Sequence, residues 1–395
     1  MLKKAFNKFK SFSFYTRGVI ITVFLLLVLN IAARIPAFCD FYTDHFFWFA
    51  SASYSRITGH TSISFGEPVI VLAVLFVLSS LIIAVILIFL RKREKYRCFA
   101  IKWLKSFLAF LLLVLALMTL NCSIPYGCSK IDINDKEPED YGFEQLLALR
   151  NYLVKNCNEL CDKVERDENG DAVFRAEDGQ KVSKELIAEL KDAMHGLSEE
   201  FPRLSGYYPR PKGLKASVIM YETGLIGIYF PFTMESNYST YLAQVHFPAT
   251  VCHEYSHLKG YMFEDEANFL AFLACMQSDN DFVRYSGFIN ALDYVEDDLF
   301  QMAESPKNEK LLSKYGLRVD ERVYDDMDTY TEKAEEEAAE AVSIVEEKTG
   351  ISEKQMDKAG DKFTNAYADY YNVKLNYREV TYRLLQYFDG KLYQV

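Results

Sequence analysis

The chain has 395 residues and a formal net charge of −11, with 55 acidic and 44 basic side chains. Apolar and locally basic residues dominate the first 120 positions, whereas the remainder is acidic. This balance argues against nucleic acid as a partner, because nucleic-acid binding favours a basic face. The length leaves room for a membrane part and one or two globular domains.

Three apolar stretches near the N-terminus predict transmembrane helices over residues 18–33, 68–90 and 103–120. The second fits best, because a hydrocarbon core of about 30 Å requires about 20 apolar residues. The third contains Lys105 near its start, where the side chain can extend to the interface. The first is short and follows several lysines, so a signal peptide is the alternative. The lack of a small-x-small cleavage motif favours an uncleaved span.

The distribution of positive charge predicts the topology. Basic residues gather before the first span and at residues 91–102, whereas residues 34–67 contain only Arg34 and Arg56. The positive-inside rule then places the N-terminus in the cytoplasm and everything after residue 120 outside it.

Residues 1–120 are therefore predicted to form a membrane anchor in contact with the lipid bilayer, and residues 121–395 an extracytoplasmic domain. That domain is predicted to be mainly α-helical with a small β-sheet. Amphipathic patterns indicate helices over residues 139–164 and 182–200, the latter with Ser183 as its N-cap.

Two β-branched and aromatic stretches predict a pair of strands, ASVIMYE at residues 216–222 and LIGIYFPF at residues 225–232. After residue 250 the pattern is again helical. It includes the acidic run of residues 331–347, for which we predict a solvated helix face and no binding patch.

The candidate chemistry lies in a motif of the form HExxH. His253 and His257 are four residues apart, so a helix places both imidazoles on one face, within reach of one metal ion. Glu254 can there hydrogen-bond a metal-bound water without ligating the metal. A catalytic zinc ion also needs a third ligand, for which the acidic run 264–266 supplies candidates. A structural helix with two surface histidines, followed by acidic residues at a helix N-terminus, is the alternative.

Several stretches of the chain resemble the bacterial membrane family of domain of unknown function 3810. They are SFGEPV, GIYFPFT, FPATVCHEYSHLKGYMFEDEANFLAFLAC, RYSGFINALDY and NAYADYYNVKLNYREVTYRLLQYF. The resemblance implies a protein of the bacterial cell membrane whose anchor carries a zincin-like domain, and it implies no particular activity. The central stretch is also similar to gluzincin peptidases, in which a glutamate on the following helix completes the metal site. This similarity implies Glu266 as the third ligand, with Glu264 as the alternative.

The predicted function is therefore hydrolysis of a peptide bond in a peptide or protein substrate. One zinc ion is held by His253, His257 and Glu266, and Glu254 serves as the general base. The alternative is a catalytically inactive membrane protein that binds zinc or docks a partner as an envelope sensor or scaffold. The intact Glu254 favours an enzyme, because an inactive site has no need of that carboxylate.

A hydrolytic site of this kind often has a further donor for the oxyanion. Tyr285 is the first candidate for this catalytic role, followed by Arg284 and His246. Ordinary packing explains each of the three equally well. The strand LIGIYFPF is a candidate edge to which an extended peptide adds.

Overall fold

The computed structural model describes residues 9–175, 182–352, 354–355, 358, 360, 362 and 378–394. The described chain is mainly α-helical with small sheets, as predicted. It forms two compact units. The first comprises residues up to Phe49, Ser64–Ser129 and Phe230–Thr233, and the second comprises Ala50–Ile63, Lys130–Tyr229 and the residues from Met234 onward. One boundary between the units lies between Ser129 and Lys130, and Ala50–Ile63 belong to the second unit.

In the described part of the chain, the first five α-helices with defined bounds are α1 (Phe14–Ala32), α2 (Pro36–Tyr42), α3 (Trp48–Thr58), α4 (Gly66–Leu90) and α5 (Glu94–Met118). Of these, α1, α4 and α5 are long and apolar enough to cross a membrane, the last together with the turns that follow it to Gly127. Most of their apolar side chains are exposed in the chain by itself, as expected for surfaces that contact lipid. The three predicted spans are thus found as helices, although α5 begins earlier than predicted, at Glu94.

The remaining described α-helices with defined bounds all lie in the second unit, which also contains most of α3, and they follow in chain order. They are α6 (Phe143–Cys161), α7 (Lys184–Gly196), α8 (Ser217–Glu222), α9 (Phe247–Leu258), α10 (Glu264–Gln277), α11 (Asp281–Met302), α12 (Pro306–Tyr315), α13 (Glu321–Met327), α14 (Glu332–Thr349) and α15 (Arg378–Phe388). Ser183 caps α7 as predicted, because its side chain accepts a hydrogen bond from the Leu186 N–H. Helix α14 contains the acidic run and buries only a narrow stripe of Ala334, Ala338 and Val342.

Two small sheets accompany the helices in the described chain. Strands β1 (Glu165–Arg166) and β2 (Ala172–Val173) pair antiparallel, while β3 (Lys212–Leu214), β4 (Gly227–Phe230) and β5 (Glu235–Ser239) form a sheet in the order β3-β5-β4. Strand β4 lies within the stretch predicted as a strand.

The prediction of a strand over ASVIMYE is wrong, since residues 217–222 form α8. Ser217 and Met220 are its buried residues, a spacing of three that suits a helix. So short an apolar run does not separate a strand from a helix by its pattern alone.

Helix α11 runs through the middle of the second unit, where it packs against α6, α9 and α10, and α9 also packs against β5. Arg150 on α6 and Glu296 on α11 form a buried ion pair, with 2.7 Å between nitrogen and oxygen. Removing one member of such a pair costs about 3–5 kcal/mol, because the other charge is left buried and unpaired. This packing sets α9, α10 and α11 side by side, and the candidate site lies on these helices.

Candidate metal centre

Helix α9 has clear local signals at both ends. Pro248 lies in its first turn, where its missing N–H breaks no helical hydrogen bond. The helix ends at Leu258, and Gly260 has a φ of +92°, which residues with a side chain rarely adopt. The chain turns there and begins α10 at Glu264. The acidic start of α10 is thereby brought back towards the histidines of α9.

Three side chains form a cluster at this turn: His253, His257 and Glu264. The two Nε2 atoms are 2.9 Å apart. The Glu264 carboxylate lies 3.2 Å from His253 Nε2 and 3.7 Å from His257 Nε2. Two atoms held by one tetrahedral zinc ion at about 2.0–2.1 Å lie about 3.3 Å from each other. The observed distances lie on both sides of that value.

The other ring nitrogen of each histidine has an oxygen partner. His257 Nδ1 lies 2.8 Å from the carbonyl oxygen of Tyr261, which accepts only, so this nitrogen carries the hydrogen. His253 Nδ1 lies 2.7 Å from Asn268 Oδ1. That oxygen also accepts a hydrogen bond from the Tyr294 hydroxyl, at 3.4 Å. When neutral, each imidazole therefore presents an Nε2 lone pair to the other two side chains, which is the form that ligates a metal.

The cluster consequently brings acceptor atoms together and needs positive charge among them, from a proton or from a cation. Burial lowers the pKa of His257, but the Glu264 carboxylate outweighs burial and raises this pKa to about 9. Burial likewise raises the pKa of Glu264, and the two imidazoles outweigh it and hold that pKa well below its usual range. Two imidazoles and one carboxylate are also a donor set that suits zinc. The residues present therefore fit such an ion.

Glu254 lies beside the cluster and is 4% exposed. The main-chain N–H of Tyr229, on β4, donates a hydrogen bond to its carboxylate. Within the described part of the chain, Glu254 Oε2 has no hydrogen-bond partner. Burial raises the pKa of Glu254 to about 7, against the opposing effect of the two imidazoles. A Cβ on Gly227 would clash with Glu254 Oε1, so a larger residue at this position would force the carboxylate or β4 to shift.

Residues 42–349 match the model of a family described as "Protein of unknown function (DUF3810)". The chain belongs to this family. The region shared with it includes the whole cluster and ends before α15. The family resemblance seen in the sequence is therefore confirmed, whereas the gluzincin similarity stays a prediction. No curated protein and no solved structure matches the chain.

The structure places the carboxylate of Glu264, and not that of the predicted Glu266, beside the two imidazoles. Glu266 accepts a hydrogen bond from the Ile131 N–H at 2.6 Å and lies 3.3 Å from the Arg383 guanidinium. Asp265 also faces Arg383, at 2.5 Å. Because consecutive helical residues point in different directions, one acidic run serves two purposes. Glu264 faces the imidazoles, and its two neighbours bind α15.

None of the three candidate oxyanion donors lies at the cluster. The Tyr285 hydroxyl donates to Asp326 at 2.6 Å, and Arg284 pairs with Asp281. His246 is buried, and its Nε2 lies 3.0 Å from the carbonyl oxygen of Asp328. Tyr285 therefore joins α11 to α13 through this hydrogen bond, and its contacts do not support the catalytic role predicted for it.

Sequence reasoning did not single out Asn268 and Tyr294, which contact His253 directly and indirectly. Asn268 had a usable signal, because it lies four residues after Glu264 and so shares its face of α10. Tyr294 had none, since it comes from a distant part of the chain.

Proposed function

We propose that this protein is a membrane-anchored, zinc-dependent hydrolase that cleaves peptide bonds. The observation that carries the proposal is the convergence of His253 Nε2, His257 Nε2 and the Glu264 carboxylate beside a buried carboxylate, Glu254, that has an unpartnered oxygen in the described chain. Such a carboxylate next to a ligand set is the arrangement that hydrolysis requires.

The proposed roles follow from these contacts. When bound, zinc supplies electrophilic activation of the scissile carbonyl and of the attacking water. Tyr229 holds one side of the Glu254 carboxylate through its N–H. Glu254 Oε2, which has no partner among the described residues, would accept the proton of the water and pass it to the leaving amine.

A peptide is the favoured substrate because of the position of β4. This strand lies at one edge of its sheet, and its Gly227 approaches Glu254 closely. An extended peptide that adds to a sheet edge gains main-chain hydrogen bonds. A peptide bound along β4 would pass beside Glu254. A ligand without an extended main chain would form no such hydrogen bonds with this edge.

The proposed location rests on the three apolar helices and on the basic residues between them. Helices α1, α4 and α5 serve as the anchor, and the basic residues before α1 and at residues 91–102 are placed in the cytoplasm by the positive-inside rule. The cluster then lies outside the cytoplasm, and the substrate is a peptide or protein near the outer membrane face.

The test is made on the full chain in mild detergent, with zinc measured by mass spectrometry and cleavage measured on a mixed peptide library. About one zinc ion per chain is expected. Cleavage is expected to be lost on dialysis against a chelator and regained on addition of zinc. A folded chain that binds no zinc would refute the proposal. Zinc without cleavage would favour the inactive sensor or scaffold.

Asn268→Ala is expected to lower the affinity for zinc by about 10–100-fold, the usual cost of losing a group that orients a metal-bound histidine. Asn290→Ala is the matched control. Both asparagines line a cavity beside the cluster, but Asn290 hydrogen-bonds the Ser286 carbonyl and His246 instead of a candidate ligand. Competition against a chromogenic chelator measures both. Equal affinities in the two variants would show that Asn268 does not orient His253.

A further inference from the structure

A cavity of about 150 Å³ lies against the cluster. Among the described residues that line it, the charged ones are His253, Glu254 and Glu264. The rest of the wall is uncharged and consists of glycine, alanine and larger apolar residues together with four polar ones, Thr250, Asn268, Asn290 and Tyr294. Helix α15 supplies two of the apolar residues, Val380 and Leu384.

Helix α15 is fixed in place by a buried ion-pair network. Arg383 is 5% exposed and binds Asp265 and Glu266 at the start of α10, as well as the carbonyl oxygen of Ile131 at 3.0 Å. Val380 and Leu384 are four residues apart and therefore lie on one face of the helix. Both are buried. Val380 and Leu384 therefore form a rigid part of the cavity wall. Both belong to a part of the chain outside the region matched to the family.

Size and charge limit what this cavity accepts. A volume of about 150 Å³ is sufficient for a benzene ring, so a leucine-sized or phenylalanine-sized group fits and a methyl group leaves space unfilled. A charged side-chain end that reaches past Glu254 and Glu264 would find no opposite charge among the other described lining residues, and burying an unpaired charge is strongly unfavourable.

We propose that the cavity is a specificity pocket for a medium-sized apolar side chain of the substrate, and that Val380 and Leu384 of the C-terminal helix determine its size. The inference rests on the proposed function and names the substrate class: peptides with leucine, isoleucine, methionine or phenylalanine next to the cleaved bond.

A binding experiment tests this without requiring turnover. The zinc-loaded full chain is titrated by calorimetry with hydroxamic acids that differ in one group: methyl, isobutyl, benzyl or 4-aminobutyl. The isobutyl and benzyl compounds are expected to bind at least about tenfold more tightly than the methyl compound, as for methylene groups filling an apolar pocket. The 4-aminobutyl compound is expected to bind no more tightly than methyl.

Leu384→Ala enlarges the pocket, so the preference for isobutyl over methyl is expected to fall about tenfold while a naphthylmethyl compound gains affinity. Leu385→Ala is the matched control, a buried leucine on the same helix that does not line the cavity. Leu385→Ala is expected to bind the hydroxamic acids in the same order of affinity as the wild-type chain. Ala291→Leu fills the cavity from α11 and should exclude benzyl, which provides a second variant if Leu384→Ala does not fold.

The outcomes separate the two proposals. A chain that binds zinc but prefers the 4-aminobutyl compound, or binds all four compounds equally, overturns the specificity pocket and leaves the zinc hydrolase standing. A Leu384→Ala variant that behaves as Leu385→Ala overturns the role of α15. A folded chain that binds neither zinc nor any hydroxamic acid overturns the proposed function, and the pocket with it.

Discussion

Glu254→Gln is expected to keep one zinc ion per chain and to lose cleavage activity by about 10²–10⁴-fold, the range that general acid–base catalysis contributes. Glutamine has the shape of glutamate and can still accept the Tyr229 N–H, but its amide cannot accept a proton from water. Because Glu254 is not one of the three converging groups, metal binding should not depend on its charge. Zinc content and kcat on one cleaved peptide measure the two effects separately.

Glu144→Gln is the matched control for this variant. It makes the same change at an exposed position in the first turn of α6, where we expect neither zinc content nor kcat to change. If Glu254→Gln cleaved peptides as fast as this control, Glu254 would not be the base. If it lost zinc, Glu254 would have to be counted as a ligand.

Glu264→Gln and Glu266→Gln are expected to affect different properties: the first lowers the affinity for zinc, and the second lowers the stability of the fold. Glu264 faces both imidazoles. Its loss should therefore weaken zinc binding more than the loss of a group that only orients a metal ligand, which costs about 10–100-fold. Its side chain is 31% exposed, and the fold should be retained. Glu266→Gln should leave zinc affinity nearly unchanged and lower the free energy of unfolding by about 1–3 kcal/mol, because a buried carboxylate bonded to Arg383 is lost.

Competition titration and thermal unfolding of the zinc-free proteins measure these two quantities. The pair forms its own control, since both variants make the same change on the same turn of α10. A loss of zinc in Glu266→Gln with no loss in Glu264→Gln would restore the ligand set implied by the similarity to gluzincins. Equal losses of zinc affinity in both variants would mean that Glu264 and Glu266 contribute alike to zinc binding.

The local sequence pattern was sufficient to predict much of this structure. The three apolar helices, the N-cap at Ser183 and the helical HExxH motif depend on neighbours a few residues apart in sequence. Periodicity and capping describe such short-range relations directly. A strand over ASVIMYE was predicted wrongly because seven residues are too few for the pattern to separate a strand from a single helical turn and a half.

The choice among the acidic residues of α10 depended on tertiary structure. In sequence, Glu264 and Glu266 are equivalent, since both begin a helix that is apolar on nearly every side. The difference arises because Arg383, more than a hundred residues later, binds Asp265 and Glu266 and leaves Glu264 to face the histidines. The sequence alone determined that two histidines share a helix face beside a glutamate. Long-range packing decided which carboxylate joins them, because buried charges turn towards partners that no local pattern reveals.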